Sequence, residues 1–149
     1  AGERAEEKGY SQVLWLDGVE RKYVEEGGGM NVMFKIGSIV VTPALTGSIL
    51  HGVTRRSCLA LLKSWGVPVE ERLLSVEELF EAARTGALEE AWCVGTAAVV
   101  APIGALGWGE QYYEVNHGEI GTLSQRLYDE LTGIQWGTRP DPFGWTYRV

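Results

Sequence analysis

Apolar and polar positions along this chain switch between the two-residue rhythm of strands and the three-to-four-residue rhythm of helices. "NVMFKI" and "IVVT", separated by Gly37–Ser38, read as two strands joined at a turn. From Val53 to Trp65, the residues Cys58, Leu61, Leu62 and Trp65 share one helical face, and Gly66 with Pro68 ends the run. Ser75 and Glu78 have the spacing of a capping box, which predicts a helix through "SVEELFEAARTG" that stops at Gly86. Leu123, Leu127 and Leu131 are in register for a final amphipathic helix in "TLSQRLYDELTG". Weaker patterns predict a short buried strand in "SQVLWLDG", with a turn at Asp17–Gly18, and further strands in "RKYVEE", "VEERLL" and "QYYEV". Residues 1–8 read as the end of a charged surface helix closed by Gly9, and the tail "IQWGTRPDPFGWTYRV" is irregular and aromatic.

Ala91 to Trp108 is a run of 18 residues without a charge, the minimum for a membrane-spanning helix. Gly95, Pro102, Gly104 and Gly107 interrupt it and its valine-rich centre favours strands. The reading is therefore two buried strands joined at Pro102–Gly104, with no membrane span. No repeat, low-complexity tract or linker divides the chain. Its 149 residues form one domain, long enough to bury a core, with mixed strands flanked by helices: an α/β (α+β) fold.

Composition narrows the partners. The net charge of −7 argues against nucleic acid or an anionic membrane, although backbone amides can still bind a local anion. Cys58 and Cys93 lie far apart, without CxxC spacing, which disfavours a disulfide or zinc and points to a reducing, cytoplasmic setting. The opening "AGERAEEKGY" has no initiator methionine and reads as a helix already under way, so a truncated chain is expected.

Three stretches can carry chemistry. In "VEEGGGMN" two carboxylates run into three glycines. This is either a solvated hairpin turn or an acid beside bare backbone, suited to holding a proton on the ring nitrogen of a flat ligand. In "LHGVTRRS" Gly52 precedes the clearest helix and Thr54 lies in its first turn. Plain capping accounts for that pattern, and so does a phosphate cup made of the Val53 and Thr54 amides, the threonine hydroxyl and the positive helix end. In "CVGTAAV" a Gly-Thr step interrupts apolar residues, either as a bulge at Gly95 or as a second loop for phosphate or carboxylate.

The other polar residues offer less. His51 and His117 have no partner at a metal-ligand spacing, and Cys93 reads as an inert buried thiol. Lys8, Lys22, Lys35 and Lys63 are the only lysines, and none lies in an apolar or glycine-rich setting that would lower its pKa.

Taken in order, "QVLWLDGVERKYVEEGGGMN", "LTGSILHGVTRRS", "VGTAAVVAPIG" and "LYDELTGIQWG" resemble the C-terminal half of the branched-chain amino acid aminotransferases. These are fold-type IV enzymes that use pyridoxal phosphate. The resemblance covers essentially the whole chain from about Gln12 onward. It implies the large, pseudo-barrel C-terminal domain of such an enzyme. It also implies exchange of the amino group of leucine, isoleucine or valine with 2-oxoglutarate, and a homodimer with the active site near the subunit interface. Two other outcomes stay open. One is a fold-type IV relative acting on D-amino acids or lysing aminodeoxychorismate; the other is a non-catalytic binding or assembly module.

The resemblance also implies roles for single positions. Glu26 matches the carboxylate that pairs with the cofactor's pyridine nitrogen, and Leu50 the side chain packed on the ring face. Val53 and Thr54 match the phosphate-binding helix start, and Thr96 a second phosphate ligand. Ala97 matches a backbone amide for the substrate's α-carboxylate. Gly29 stands where some relatives carry a threonine that binds the same carboxylate, leaving only its backbone to serve. Ala98 and Ala101 stand where some members have two cysteines acting as a redox switch, so that switch is not expected. The family's cofactor-binding lysine lies in a K-x-G-G-N-Y motif that these 149 residues do not contain. No catalytic residue is therefore assigned within the chain. The small N-terminal domain is expected to be missing, and the chain alone is expected to be inactive.

Overall fold

The strand predicted in "NVMFKI" occupies the middle of the main sheet. The computed structural model describes residues 2–147. Its elements run α1 (Gly2–Glu7), β1 (Leu14–Leu16), β2 (Val24–Gly27), β3 (Asn31–Ile36), β4 (Ile39–Pro43), α2 (Val53–Ser64) and β5 (Val69–Arg72). There follow α3 (Val76–Thr85), β6 (Leu88–Gly95), β7 (Val99–Pro102), β8 (Ala105–Trp108), β9 (Gln111–Glu114), a 3₁₀ turn at Asn116–Gly118 and α4 (Thr122–Gln135). Hydrogen bonding groups the strands into a five-stranded sheet, in the order β5-β4-β3-β6-β7, and two pairs, β1-β2 and β8-β9.

Alternation along β3 sends Val32 and Phe34 into one core and Met33 into another. β6 repeats this with Ala91 and Cys93 on the first face and Trp92 and Val94 on the second. The first core takes Leu79 and Phe80 of α3; the second takes Cys58, Leu61 and Leu62 of α2 with Leu127 and Leu131 of α4. Burial on both faces explains why these strands read as nearly continuous apolar runs.

Strand direction sets the functional end of the sheet. β4 and β5 pair in parallel and so need a crossover, which α2 supplies. α2 therefore starts beyond the carboxyl end of β4. Because β3 is antiparallel to β4 and β6 is antiparallel to β3, Asn31 and Gly95 lie at that same end. A helix start beside strand ends is a common place for ligands in such sheets.

Several expectations need correction. The uncharged run forms three strands rather than two. β6 and β7 are joined by a tight turn at residues 96–98, and Ile103–Gly104 then leads into β8. The Gly-Thr step therefore ends a strand and is not a bulge inside one. β1 is not buried: Trp15 is 47% exposed, because β1 pairs only with β2 at the edge of the fold. Asp17 does not make a two-residue turn with Gly18. Its carboxylate accepts from the amides of Glu20, Lys22 and Tyr23, and this organises a longer loop and lowers its pKa to about 2. The capping box is half formed: Ser75 Oγ accepts from Glu78 N at 3.1 Å, but the Glu78 carboxylate binds Arg72 instead of reaching back. No helix among the described residues is long and apolar enough to cross a membrane.

Candidate functional site

The glycine run is a tight hairpin turn. Gly27 and Met30 exchange backbone hydrogen bonds across Gly28–Gly29, and Gly28 has φ +59°. Two of the three glycines have reasons internal to the protein. A Cβ at Gly27 would strike Cys93 Sγ, and one at Gly28 would strike the Gln12 amide in addition to the backbone strain. Gly29 has open space around it and no positive φ. In a urea melt, Gly28→Ala is expected to cost about 1 kcal/mol or more, and Gly29→Ala less than about 0.5 kcal/mol.

Next to this turn both acids hold the loop between β4 and α2. Glu25 Oε1 accepts from Ser48 Oγ at 2.7 Å. Glu26 Oε1 accepts from Leu50 N at 2.9 Å, while its Oε2 makes no hydrogen bond among the described residues. Asn31 Nδ2 donates to Leu50 O at 2.9 Å. The Leu50 backbone is thus fixed on both sides by side chains of β2 and β3, while its own side chain is 66% exposed.

The loop ends at Gly52, which caps α2 without a side chain. The amides of Val53 and Thr54 have no partner among the described residues, and Thr54 is half-buried beside them. They face outward at the positive end of a 12-residue helix, as an anion site requires. Arg55 does not join this cup. It is buried and donates to Pro43 O at 3.2 Å and Glu71 Oε1 at 2.9 Å, tying the helix start to the ends of β4 and β5. Arg56 is exposed.

The Gly-Thr step arrives from the other side of β3. Asn31 pairs with Val94, and Gly95 sits so close to the Met30 side chain that a Cβ there would lie 3.0 Å from Met30 Cγ. Thr96 and Ala97 follow in the exposed turn. Glu26, Leu50, Val53–Thr54 and Gly95–Thr96 are therefore neighbouring segments gathered around Met30 and Asn31. They meet on an open surface. A cavity of about 1010 Å³ lies elsewhere, bounded by α1 and the β8–β9 hairpin, and none of these residues except Gly27, Met30 and their neighbour Cys93 borders it.

The remaining candidates separate cleanly. Both cysteines are free and buried, and desolvation pushes the Cys93 thiol up to about 11, so it is a packing group behind Gly27. Lys35 pairs with Glu89, Lys22 lies over the Tyr23 ring, Lys63 is in the last turn of α2, and Lys8 borders the large cavity. Among the described residues the cluster thus offers an acid, hydroxyls and amides, but no amine.

Comparison with known proteins places the chain in a family. Residues 1–106 match the family described as amino-transferase class IV. The chain belongs to that family. It is 54% identical over 145 residues to "Branched-chain-amino-acid aminotransferase 2" of Bacillus subtilis, covering 97% of this chain and 40% of that protein. It is 50% identical to "Branched-chain-amino-acid transaminase 1" of the same organism, covering 100% of this chain and 42% of the relative. The chain therefore spans about two fifths of the length of these curated relatives. Among solved structures, the Escherichia coli branched-chain amino acid aminotransferase superposes with a TM-score of 0.80 at 30% identity, over 97% of this chain and 44% of that one. The T.th. branched-chain amino acid aminotransferase complexed with N-(5'-phosphopyridoxyl)-L-glutamate gives a TM-score of 0.81 at 28% identity, over 99% of this chain and 45% of that one. The mixed α/β fold is that of the fold-type IV enzymes.

Sequence reasoning missed Asn31 and the Glu25–Ser48 link, and it placed Arg55 only as added positive charge near the helix start. Asn31 did leave a trace: it is a polar residue opening a strand whose next three residues are buried. The burial of Arg55 left no trace, because it depends on Glu71 from a distant strand.

Proposed function

We propose that this chain is the cofactor-binding part of a pyridoxal-phosphate-dependent transaminase. The enzyme exchanges the amino group of leucine, isoleucine or valine with 2-oxoglutarate and works as a homodimer in the cytoplasm. The activity belongs to a longer polypeptide, in keeping with the share of each relative that the chain matches. Class IV membership and the relatives' names support the chemistry, and the phosphopyridoxyl complex of the T.th. enzyme supports the cofactor. Two buried free thiols are consistent with a reducing compartment.

The observation that carries this reading is the Glu26 carboxylate. One oxygen is anchored on Leu50 N and the other has no hydrogen-bond partner among the described residues, at the same end of the sheet as a helix start without a side-chain cap. An anchored acid and a set of unpaired amides fit the two polar ends of a phosphorylated pyridine. When bound, pyridoxal phosphate supplies an electron-withdrawing ring that stabilises negative charge on the carbon bearing the amino group. Glu26 holds a proton on the ring nitrogen, which strengthens that withdrawal. The Val53 and Thr54 amides, the Thr54 hydroxyl and Thr96 bind the phosphate, and Leu50 covers one ring face. The Ala97 amide, with the Gly29 backbone, receives the substrate carboxylate. Proton transfer at the substrate carbon needs an amine base that the cluster lacks, so it falls to a lysine outside these residues.

The test is to titrate the complete polypeptide with pyridoxal phosphate, follow absorbance near the visible edge, and then profile amino donors. Binding followed by transfer from leucine, isoleucine and valine to 2-oxoglutarate is expected. A profile dominated by D-amino acids, or lysis of aminodeoxychorismate, would replace the substrate reading; no absorbance change at all would leave a binding or assembly module. The 149-residue chain alone is expected to give no turnover.

A further inference from the structure

Asn31 is only 5% exposed and sits where all three segments of the site adjoin. Its side-chain amide donates to Leu50 O at 2.9 Å, while Glu26 holds Leu50 N from the other side. Its Oδ1 lies against Gly52, where any Cβ would collide with it. Its backbone pairs with Val94, one residue before the Gly95–Thr96 turn begins. One side chain thus touches the residue that anchors the acid and the residue that starts the phosphate-binding helix, from a strand position bonded to the third segment.

We propose that Asn31 is a positioning residue for the cofactor. It sets the Leu50 backbone, and through it both the direction of the Glu26 carboxylate and the placement of the first amides of α2. The inference rests on the reading that the site takes pyridoxal phosphate. Removing the amide leaves Leu50 O without its donor and frees the loop to turn, so the acid and the amide cup lose their mutual spacing. Gly52 is the other half of this contact. The site needs a helix start without a side chain because the Asn31 amide already fills the space a Cβ would take.

A merely structural role is separated by a matched control. Thr42 Oγ1 donates to Val32 O at 2.8 Å and is fully buried in the same sheet, and this hydrogen bond involves neither Leu50 nor Gly52. In the complete polypeptide, pyridoxal phosphate binding is measured by equilibrium dialysis and unfolding by urea for Asn31→Ala, Asn31→Asp, Gly52→Ala, Thr42→Val and the double variant Asn31→Ala with Gly52→Ala. Asn31→Ala and Asn31→Asp are expected to raise the dissociation constant about tenfold, and Thr42→Val to weaken stability while leaving binding within about twofold. Asn31→Asp keeps the shape of the side chain, so it reports even if the alanine variant folds poorly. Gly52→Ala is expected to impair binding in the native background and to have much less effect beside Asn31→Ala, because the atom it strikes is then gone. Dissociation constants for both Asn31 variants within twofold of the native protein overturn the proposal. Failure of the native protein to bind pyridoxal phosphate removes the functional reading and this inference with it.

Discussion

Replacing Glu26 by glutamine in the complete polypeptide is expected to slow the amino-transfer half-reaction by about 100- to 1000-fold, equivalent to roughly 3–4 kcal/mol of lost stabilisation. Glutamine keeps an oxygen that accepts from Leu50 N, so the loop stays where the 2.9 Å bond holds it. What it removes is the negative charge that, under the proposed function, would keep the ring nitrogen protonated. Glu26→Ala removes both, and should weaken cofactor binding as well by releasing the Leu50 loop. Stopped-flow absorbance with leucine as the amino donor gives the rate, and dialysis gives the affinity. A glutamine variant with a half-reaction rate within threefold of native would take Glu26 out of the role of ring acid. Glu25 is the natural control. It is the adjacent acid, it binds Ser48 on the same loop, and Glu25→Gln should leave the half-reaction rate nearly unchanged.

The helices and the central hairpin were legible because local rules and tertiary packing agree there. β3 and β4 flank the Gly37–Ser38 turn as the alternation predicts. Ser75 and Gly86 bound α3, and the leucines of α4 face the core. The failures lie where long-range pairing overrides composition. Ala91–Trp108 carries no charge, and its Gly-Thr step reads equally as a bulge or a loop; the turn there exists because β7 folds back to pair with β6. β1 reads as a buried strand, yet it has only β2 beside it. The site was legible in another sense. Acid, helix start and Gly-Thr step were each ambiguous alone, and only their order pointed to one family. Asn31 touches two of these segments in space, and its hydrogen-bond partner lies 19 residues away at Leu50. No window of local sequence contains both partners, and a hairpin glycine run looks the same whether or not its neighbouring acid faces a ligand. Gly27 and Gly28 are explained by packing and turn geometry, so those two glycines are not themselves a mark of cofactor approach.

Glu90→Ala is expected to be among the most destabilising single changes in the chain, at about 3 kcal/mol. Glu90 is a charged residue only 6% exposed, in the middle strand pair of the sheet. Its carboxylate accepts from Leu123 N at 3.2 Å, Ser124 N at 2.9 Å and Ser124 Oγ at 2.8 Å. It therefore caps α4 from another element, because Gly121 at the helix start has no side chain, and a Cβ there would collide with the same carboxylate. Truncation leaves two buried amides and a hydroxyl unsatisfied, and it removes a negative charge from the positive end of a helix. Glu90→Gln should cost less, since its carbonyl oxygen keeps one of the acceptors. The effect should also reach the functional end of the sheet. α4 packs on β7, and β7 pairs with the strand that carries Gly95, so a loosened α4 frees the turn holding Thr96. Urea unfolding of Glu90→Ala, Glu90→Gln and Ser124→Ala checks the order of costs. Hydrogen exchange at residues 96–98 checks the transmission, and protection there equal to native in a destabilised Glu90→Ala protein would show that the turn is held by β6 and β7 alone.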